Sequence, residues 1–237
     1  MDTEIRIFGS KVLGEDRVRN IGQMYDKICI KYSQDEGNLE HAKVFEGRRS
    51  TKIYNPDTCR STSSDIEAIG EEAHGVDTIG HLEYFINKNK GDSNFIPTVL
   101  HNHRNATTFS LDDLWQLLAI NELEEIFIDT GDEIRILSKT WRNPLDESEI
   151  DDIYKRLVDI HNQVSDSHKA ELDVALANKQ VNPNDYSLVD VVSSIYDEAR
   201  KIAYTEVGVV KATGLNGRTF PVNVGIIKKK EFAKFKS

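Results

Sequence analysis

One segment constrains the fold more than any other, because an apolar run is followed closely by an amphipathic helix pattern. Residues 95–100 read Phe-Ile-Pro-Thr-Val-Leu, which is typical of a buried strand. Ser110 then begins a predicted helix, whose apolar face consists of Leu111, Leu114, Trp115, Leu117 and Leu118. A strand that leads into a helix in this way favours a mixed α/β fold.

Other segments supply further helices and strands for such a fold. Helical spacing of apolar residues predicts helices over 15–32, 66–89, 146–178 and 187–210, the second of them broken near His74-Gly75 and Gly80. Strand patterns predict a hairpin from 40–46 and 50–54, a second hairpin over 125–138 with its turn at 130–132, and a last apolar run over 220–227. Asn55-Pro56-Asp57 is expected to end the first hairpin, and residues 61–65 are expected to form a polar loop.

The character of the chain changes after Asn143-Pro144, where a long and highly charged helix pattern begins. We therefore predict one domain over residues 1–143 and a mostly helical extension over residues 144–237. The predicted fold class is α/β, with a mixed, curved sheet flanked by helices and followed by a helical C-terminal extension.

Charge and cysteine usage restrict the partners and the compartment that we expect. The formal net charge of −10 disfavours a nucleic-acid partner, because phosphates would be repelled. No apolar run reaches transmembrane length, and the acidic start of the chain does not resemble a secretory signal, so we expect no membrane association. For the same reason we expect a cytoplasmic protein in which Cys29 and Cys59 are reduced thiols. Neither cysteine has a CxxC partner, which excludes a structural zinc finger. The basic tail from Lys228 onward is expected to be a solvated end.

Two histidines and one aspartate are spaced for a metal site. His101 and His103 stand at i and i+2 on a predicted strand, so both imidazoles face one side and can reach the same ion. Asp113 falls in the first turn of the following helix and can supply a third ligand. Three protein ligands with one open position are typical of catalytic zinc. The competing interpretation is structural, because Ser110-x-x-Asp113 is also an ordinary helix capping box.

The order His101-x-His103, then Ser110-x-x-Asp113, resembles the signature of the JAB/MPN (JAMM) metalloproteases. The segment is especially similar to JAB-like domains of phage head-associated and bacterial mobile-element proteins, and the resemblance covers roughly residues 40–139. It implies a cytidine-deaminase-like layering of sheet and helices, a bound Zn²⁺, and hydrolysis of amide or isopeptide bonds. The implied substrate is a peptide or a ubiquitin-like conjugate, and phage or host proteins are further expected partners.

The resemblance also implies a glutamate that acts as the general base and lies on an early strand. Glu40 and Glu46 both satisfy that position, and we prefer Glu40 because it opens the first strand pattern after the N-terminal helix. Ser110 is expected to cap its helix and to donate a hydrogen bond to a developing oxyanion. His41, His74 and His81 are expected to be isolated surface residues.

Two departures from the family pattern favour an alternative function. Arg104 stands where family members usually have proline, and the loop before Ser110 is slightly shorter than in eukaryotic members. The alternative is a non-catalytic JAB-like module that serves in phage assembly or protein interaction, with the charged segment 146–178 suited to docking. An HNH nuclease is rejected, because its motif residues are spread over a ββα unit and do not form a contiguous His-Asn-His.

Overall fold

A computed structural model describes most of the chain, and it divides the chain into two compact units. The described residues are 13–32, 39–65, 78–102, 109–131, 133–139, 145–178, 180, 195, 199 and 222–235. The first unit comprises Met1–Arg104, Ile120–Lys139 and Asn223–Ser237, and the second comprises Asn105–Ala119 and Thr140–Val222. The predicted division into 1–143 and 144–237 stays a prediction.

A six-stranded mixed sheet with helices forms the first unit. Its strands are β1 (Leu39–Arg48), β2 (Ile53–Asp65), β3 (Phe95–Asn102), β4 (Glu125–Asp129), β5 (Glu133–Lys139) and β6 (Val222–Lys228), in the spatial order β2-β1-β3-β4-β5-β6. The helices of this unit are α1 (Glu15–Tyr32), α2 (Ile79–Lys88) and a 3-10 helix (Lys229–Phe235). β3 and β4 run parallel, whereas β1 pairs antiparallel with β2 and β3, and β4 with β5. The predicted α/β class with a mixed sheet flanked by helices is confirmed.

The main core lies on the sheet face that α1 and the 3-10 helix cover. α1 buries Val18, Ile21 and Met24, which recur at helical spacing, and Phe232 of the 3-10 helix joins them. The sheet contributes alternate residues of each strand to this core, namely Phe45, Tyr54, Ile96, Leu100, Phe127, Ile134, Ile136 and Ile227. On the opposite face α2 packs against β1 and β3 and buries Leu82 and Phe85.

The first hairpin differs from its prediction. β2 does not end at Asn55-Pro56-Asp57 but continues to Asp65, so the predicted polar loop over 61–65 is wrong. The register of β1 and β2 shifts between Phe45 and Gly47, where Cys59 and Tyr54 are the respective partners. The proline lies in that irregular stretch of an edge strand, which is where a residue without an N–H is tolerated.

Most other predicted elements of the first unit are confirmed. α1 has the predicted bounds, β3 covers the predicted strand, and β4 and β5 form the predicted hairpin, in whose turn Gly131 adopts a φ of +97°. The last apolar run forms β6. α2 begins at Ile79, directly before Gly80, where the helix was predicted to be interrupted, and residues 66–77, with His74-Gly75, lie outside the described residues.

The second unit contains α3 (Leu111–Ala119) and α4 (Glu147–Ala177), which pack against each other. Both follow their predictions, and α4 begins with a capping box in which the Asp146 side chain accepts from the Glu149 N–H. The predicted helix over 187–210 lies outside the described residues except at positions 195 and 199, which are helical. Among the described helices, none has both the length and the apolar character that crossing a membrane requires.

Glu125, at the start of β4, is a buried carboxylate that joins several elements of the first unit. Its Oε2 accepts from Arg17 Nη2 of α1 at 2.5 Å and from the Tyr54 hydroxyl of β2 at 2.7 Å, while its Oε1 accepts from Ser138 at 3.2 Å. Burial acts to raise the pKa of Glu125, but Arg17 and Lys52 hold that pKa below its ordinary value. The resulting stabilisation is present above the ordinary glutamate pKa and is lost as the pH falls.

We predict that Arg17→Met lowers the free energy of unfolding by about 3–5 kcal/mol at neutral pH, because it leaves a buried charge without its main partner. Chemical denaturation measures this change. The control is Lys27→Met, which removes an exposed ion pair with Asp57 at 2.9 Å and should cost less than about 1 kcal/mol. Equal effects of the two substitutions would contradict the role given to the Glu125 network.

Candidate metal centre

His101 lies near the end of β3, on the sheet face opposite the main core. Its register partners are Ala42 of β1 and Ile128 of β4, and only 4% of its surface is exposed. β3 and β4 are parallel, so their carboxyl ends meet at one edge of the sheet, which is where open α/β sheets bind ligands. The imidazole is therefore placed where a functional group is expected.

Of the other two predicted ligands, the structure describes only Asp113. His103 lies outside the described residues, as does Arg104. Asp113 lies in the first turn of α3 and is 4% exposed. His101 belongs to the first unit and Asp113 to the second, and the ligand set His101, His103 and Asp113 stays a prediction. Within the described part of the chain, which excludes His103, no three His, Cys, Asp or Glu side chains are grouped to hold a metal ion.

Ser110 and Asp113 form a reciprocal cap at the start of α3. The Ser110 N–H and hydroxyl both donate to Asp113 Oδ2, at 2.7 and 2.8 Å, and the Asp113 N–H donates to Ser110 Oγ at 3.1 Å. The capping role predicted for Ser110 is confirmed, and it fixes the orientation of the Asp113 carboxylate. Because a hydroxyl has one proton, donation from Ser110 to an oxyanion would require that proton to turn away from Asp113.

The two candidate bases occupy opposite ends of β1. Position 40 pairs with Ser64 of β2 and lies two residues from Ala42, the register partner of His101. Since alternate residues share a face, position 40 is on the face of the sheet that carries His101. Glu46 instead pairs with Pro97, four residues before His101, which corresponds to roughly 13 Å along the strand.

Glu46 is also engaged at its own end of the strand. Its Oε1 accepts from Lys88 Nζ at 2.8 Å and from Asn89 Nδ2 at 3.0 Å, both near the end of α2. Burial acts to raise the pKa of Glu46, but the hydrogen bonds from Lys88 and Asn89 bring it below the ordinary value. A carboxylate held ionised by a lysine at this distance is poorly placed to serve the His101 end of the sheet.

Two polar residues that the sequence analysis did not single out lie at the same end of the sheet as His101, on the opposite face. Asn102 and Asp129 are register partners at the ends of β3 and β4, and both are buried. The backbone N–H of His41 donates to Asn102 Oδ1 at 2.5 Å, and Asp129 forms an ion pair with Lys229 at 2.6 Å. In the sequence, Asn102 and Asp129 each come at the end of an apolar run. Their proximity could not be predicted from this, because it depends on the parallel pairing of β3 with β4.

Two histidines and one lysine that were expected to be exposed to solvent are buried, partly buried or paired in the structure. His41 is buried, not a surface residue, and His81 is partly buried on the stripe of α2 that also carries Phe85. Lys229, expected in a solvated tail, pairs with buried Asp129, and its Nζ lies 4.3 Å from the ring centroid of Tyr25. The basic tail is thus packed onto the first unit at this residue.

Comparison of the chain with protein-family models, with curated proteins and with solved structures gave no match.

The cap at Ser110 generates a stability prediction. We expect Ser110→Ala to lower the free energy of unfolding by about 0.5–2 kcal/mol, because the N–H of Asp113 loses its acceptor at the start of α3. Ser110→Thr is the matched control, since it keeps the hydroxyl oxygen and should stay near the wild-type value. Chemical denaturation of the wild-type protein and the two variants measures the free energy of unfolding. An alanine variant as stable as wild type would contradict the cap.

Proposed function

We propose that the chain is a zinc-dependent hydrolase of amide or isopeptide bonds, similar to the JAMM metalloproteases. The proposed substrate is a peptide or a ubiquitin-like conjugate, and the proposed location is the cytoplasm. The observation that carries the proposal is the β1–β3 register, in which position 40 and His101 share one end and one face of the sheet. The mechanism needs the general base close to the ligand histidine, so that it can reach a water molecule on the same metal ion.

The chemistry of the donors supports zinc as the metal. His101 and His103 would supply imidazole nitrogens and Asp113 a carboxylate oxygen, a set that leaves one position for water. His101 and Asp113 are both almost fully buried, which suits ligands shielded from competing water. When bound, zinc lowers the pKa of a water molecule and polarises a substrate carbonyl.

The protein's own groups would then move the protons. Glu40 takes a proton from the attacking water and returns it to the leaving nitrogen, so that the amide bond breaks into a carboxylate and an amine. Ser110 would donate to the oxyanion after its hydroxyl turns from Asp113. The mixed sheet flanked by helices supports the JAB/MPN-like fold that belongs to this proposal.

A second candidate function is a non-catalytic JAB-like module that acts in phage assembly or protein interaction. The observation that favours it is the reciprocal cap, because the spacing Ser110-x-x-Asp113 is accounted for by hydrogen bonds within α3 alone. α4 also has the highly charged surface that suits docking to a partner. Absence of zinc from the protein would favour this second function over the hydrolase.

Zinc content tests the ligand set directly. We expect the purified protein, incubated with zinc and then desalted, to retain about one zinc per chain, as a three-ligand site would. His103→Ala should abolish retention, whereas His168→Ala, which changes a histidine of α4, should not alter it. Elemental analysis measures the ratio, and a wild-type protein that remains metal-free would end the metal proposal.

Substitution of the two candidate bases tests which glutamate acts. We expect Glu40→Gln to retain zinc and fold but to lose hydrolysis, because the base removes a proton without binding the metal. Glu46→Gln should change the rate little, since Glu46 lies at the far end of β1 beside Lys88. An active Glu40→Gln with an inactive Glu46→Gln would reverse the assignment. Full activity in both variants would move the base to Glu36, Glu67 or Glu83.

A further inference from the structure

α2 follows β1 along the sheet face opposite the main core. At the C-terminal end of the helix, the Nδ2 of Asn89 donates to Glu46 of β1 at 3.0 Å. Further back in the helix, the Tyr84 ring stacks with Arg60 of β2, whose guanidinium carbon lies 4.2 Å from the ring centroid. Arg60 is the register partner of Val44. The helix therefore advances about 7.5 Å while β1 advances about 6.6 Å, which is expected where the two run side by side.

The same path places His81 next to the strand pair that contains His101. His81 precedes the stacked tyrosine by one turn of α2, roughly 4.5 Å along the axis, and lies on the same side of the helix. On β1 this advance corresponds to between one and two residues beyond Val44. It ends near Ala42, the register partner of His101. The next residue of β1 on that face is position 40.

The His81 imidazole carries one nitrogen that is turned into the protein. The residue as a whole is partly buried, but its Nδ1 is buried and has no hydrogen-bond partner among the described residues. Buried polar atoms of folded proteins are nearly always hydrogen-bonded, so this nitrogen calls for a partner nearby. Glu46 does not supply it, because it lies at the other end of β1 with Lys88 and Asn89. A carboxylate at position 40 is a suitable acceptor for an imidazole N–H.

We propose that His81 is a positioning residue, whose Nδ1–H donates a hydrogen bond to the Glu40 carboxylate. The role of Glu40 as the general base rests on the proposed function, whereas the contact between the two side chains does not. The hydrogen bond fixes one carboxylate oxygen and leaves the other for the attacking water. A base that is already oriented needs less ordering when the reaction occurs, which raises the rate. His81 itself touches neither the metal nor the substrate.

The contact is tested first by NMR of the histidine ring nitrogens, without metal or turnover. The His81 signals are assigned by their loss in His81→Asn. At alkaline pH, where imidazoles are neutral, we expect the proton of wild-type His81 on Nδ1, because the hydrogen bond selects the tautomer. Glu40→Ala should shift the ring towards the Nε2–H tautomer, and the control Glu46→Ala should not. An unchanged tautomer in Glu40→Ala, or the same change in Glu46→Ala, would overturn the proposal.

Kinetics of the zinc-loaded protein test the positioning role. His81→Ala should lower kcat roughly tenfold or more while KM and zinc content stay unchanged, because the base loses a charge-assisted hydrogen bond. His81→Asn should recover much of the rate, since its amide nitrogen is as many bonds from Cα as Nδ1. The amide nitrogen of His81→Gln is one bond further away and should not restore the rate. The control is Asn87→Ala, at an exposed position of the same helix, and its kcat should equal that of wild type.

The two tests separate this inference from the hydrolase itself. An active zinc enzyme whose kcat is the same in His81→Ala overturns the inference only, as does an equal loss in His81→Ala and His81→Asn. A metal-free, inactive protein in which Glu40 still sets the tautomer of His81 overturns the hydrolase only.

Discussion

The desolvated charge of Glu125 is the constraint on which the arrangement of the first unit depends. A carboxylate buried to 2% exposure is tolerable only where cations and donors surround it, and here they come from α1, β2 and β5. Burial raises the pKa of Tyr54, and the same carboxylate raises it further, which keeps the phenol a hydrogen-bond donor. The position of α1 on the sheet is therefore set by electrostatics as well as by its apolar stripe.

Short sequence patterns predicted the helices and strands that depend on residues close together in the chain. α1 and α3 follow from apolar spacing, α4 from the long charged helix pattern after Asn143-Pro144, and the β4–β5 hairpin from alternation around Gly131. β2 could not be predicted in full, because its polar second half is stabilised by pairing with β1 and not by its own composition. Pro56 was wrongly predicted to end the strand, because a register irregularity in an edge strand accommodates a proline.

The candidate site was predictable where it depends on residue order and unpredictable where it depends on strand pairing. The spacing of Ser110 and Asp113 predicted the cap that the structure contains. The preference for Glu40 over Glu46 rested on position in the sequence and stays a prediction, whereas the β1–β3 register places position 40, and not Glu46, at the His101 end of the sheet. Asn102 and Asp129 carried no recognisable motif, because their proximity follows from the parallel pairing of β3 with β4.

The ion pair between Arg17 and Glu125 joins residues that are 108 positions apart in the chain. During synthesis at 5–20 residues per second, α1 therefore emerges about 5–20 s before its partner carboxylate exists. β1 likewise emerges before β3, the antiparallel strand with which it pairs. Such non-local pairing predicts slow folding, because the chain between the paired segments must close into a loop before the pairing stabilises it.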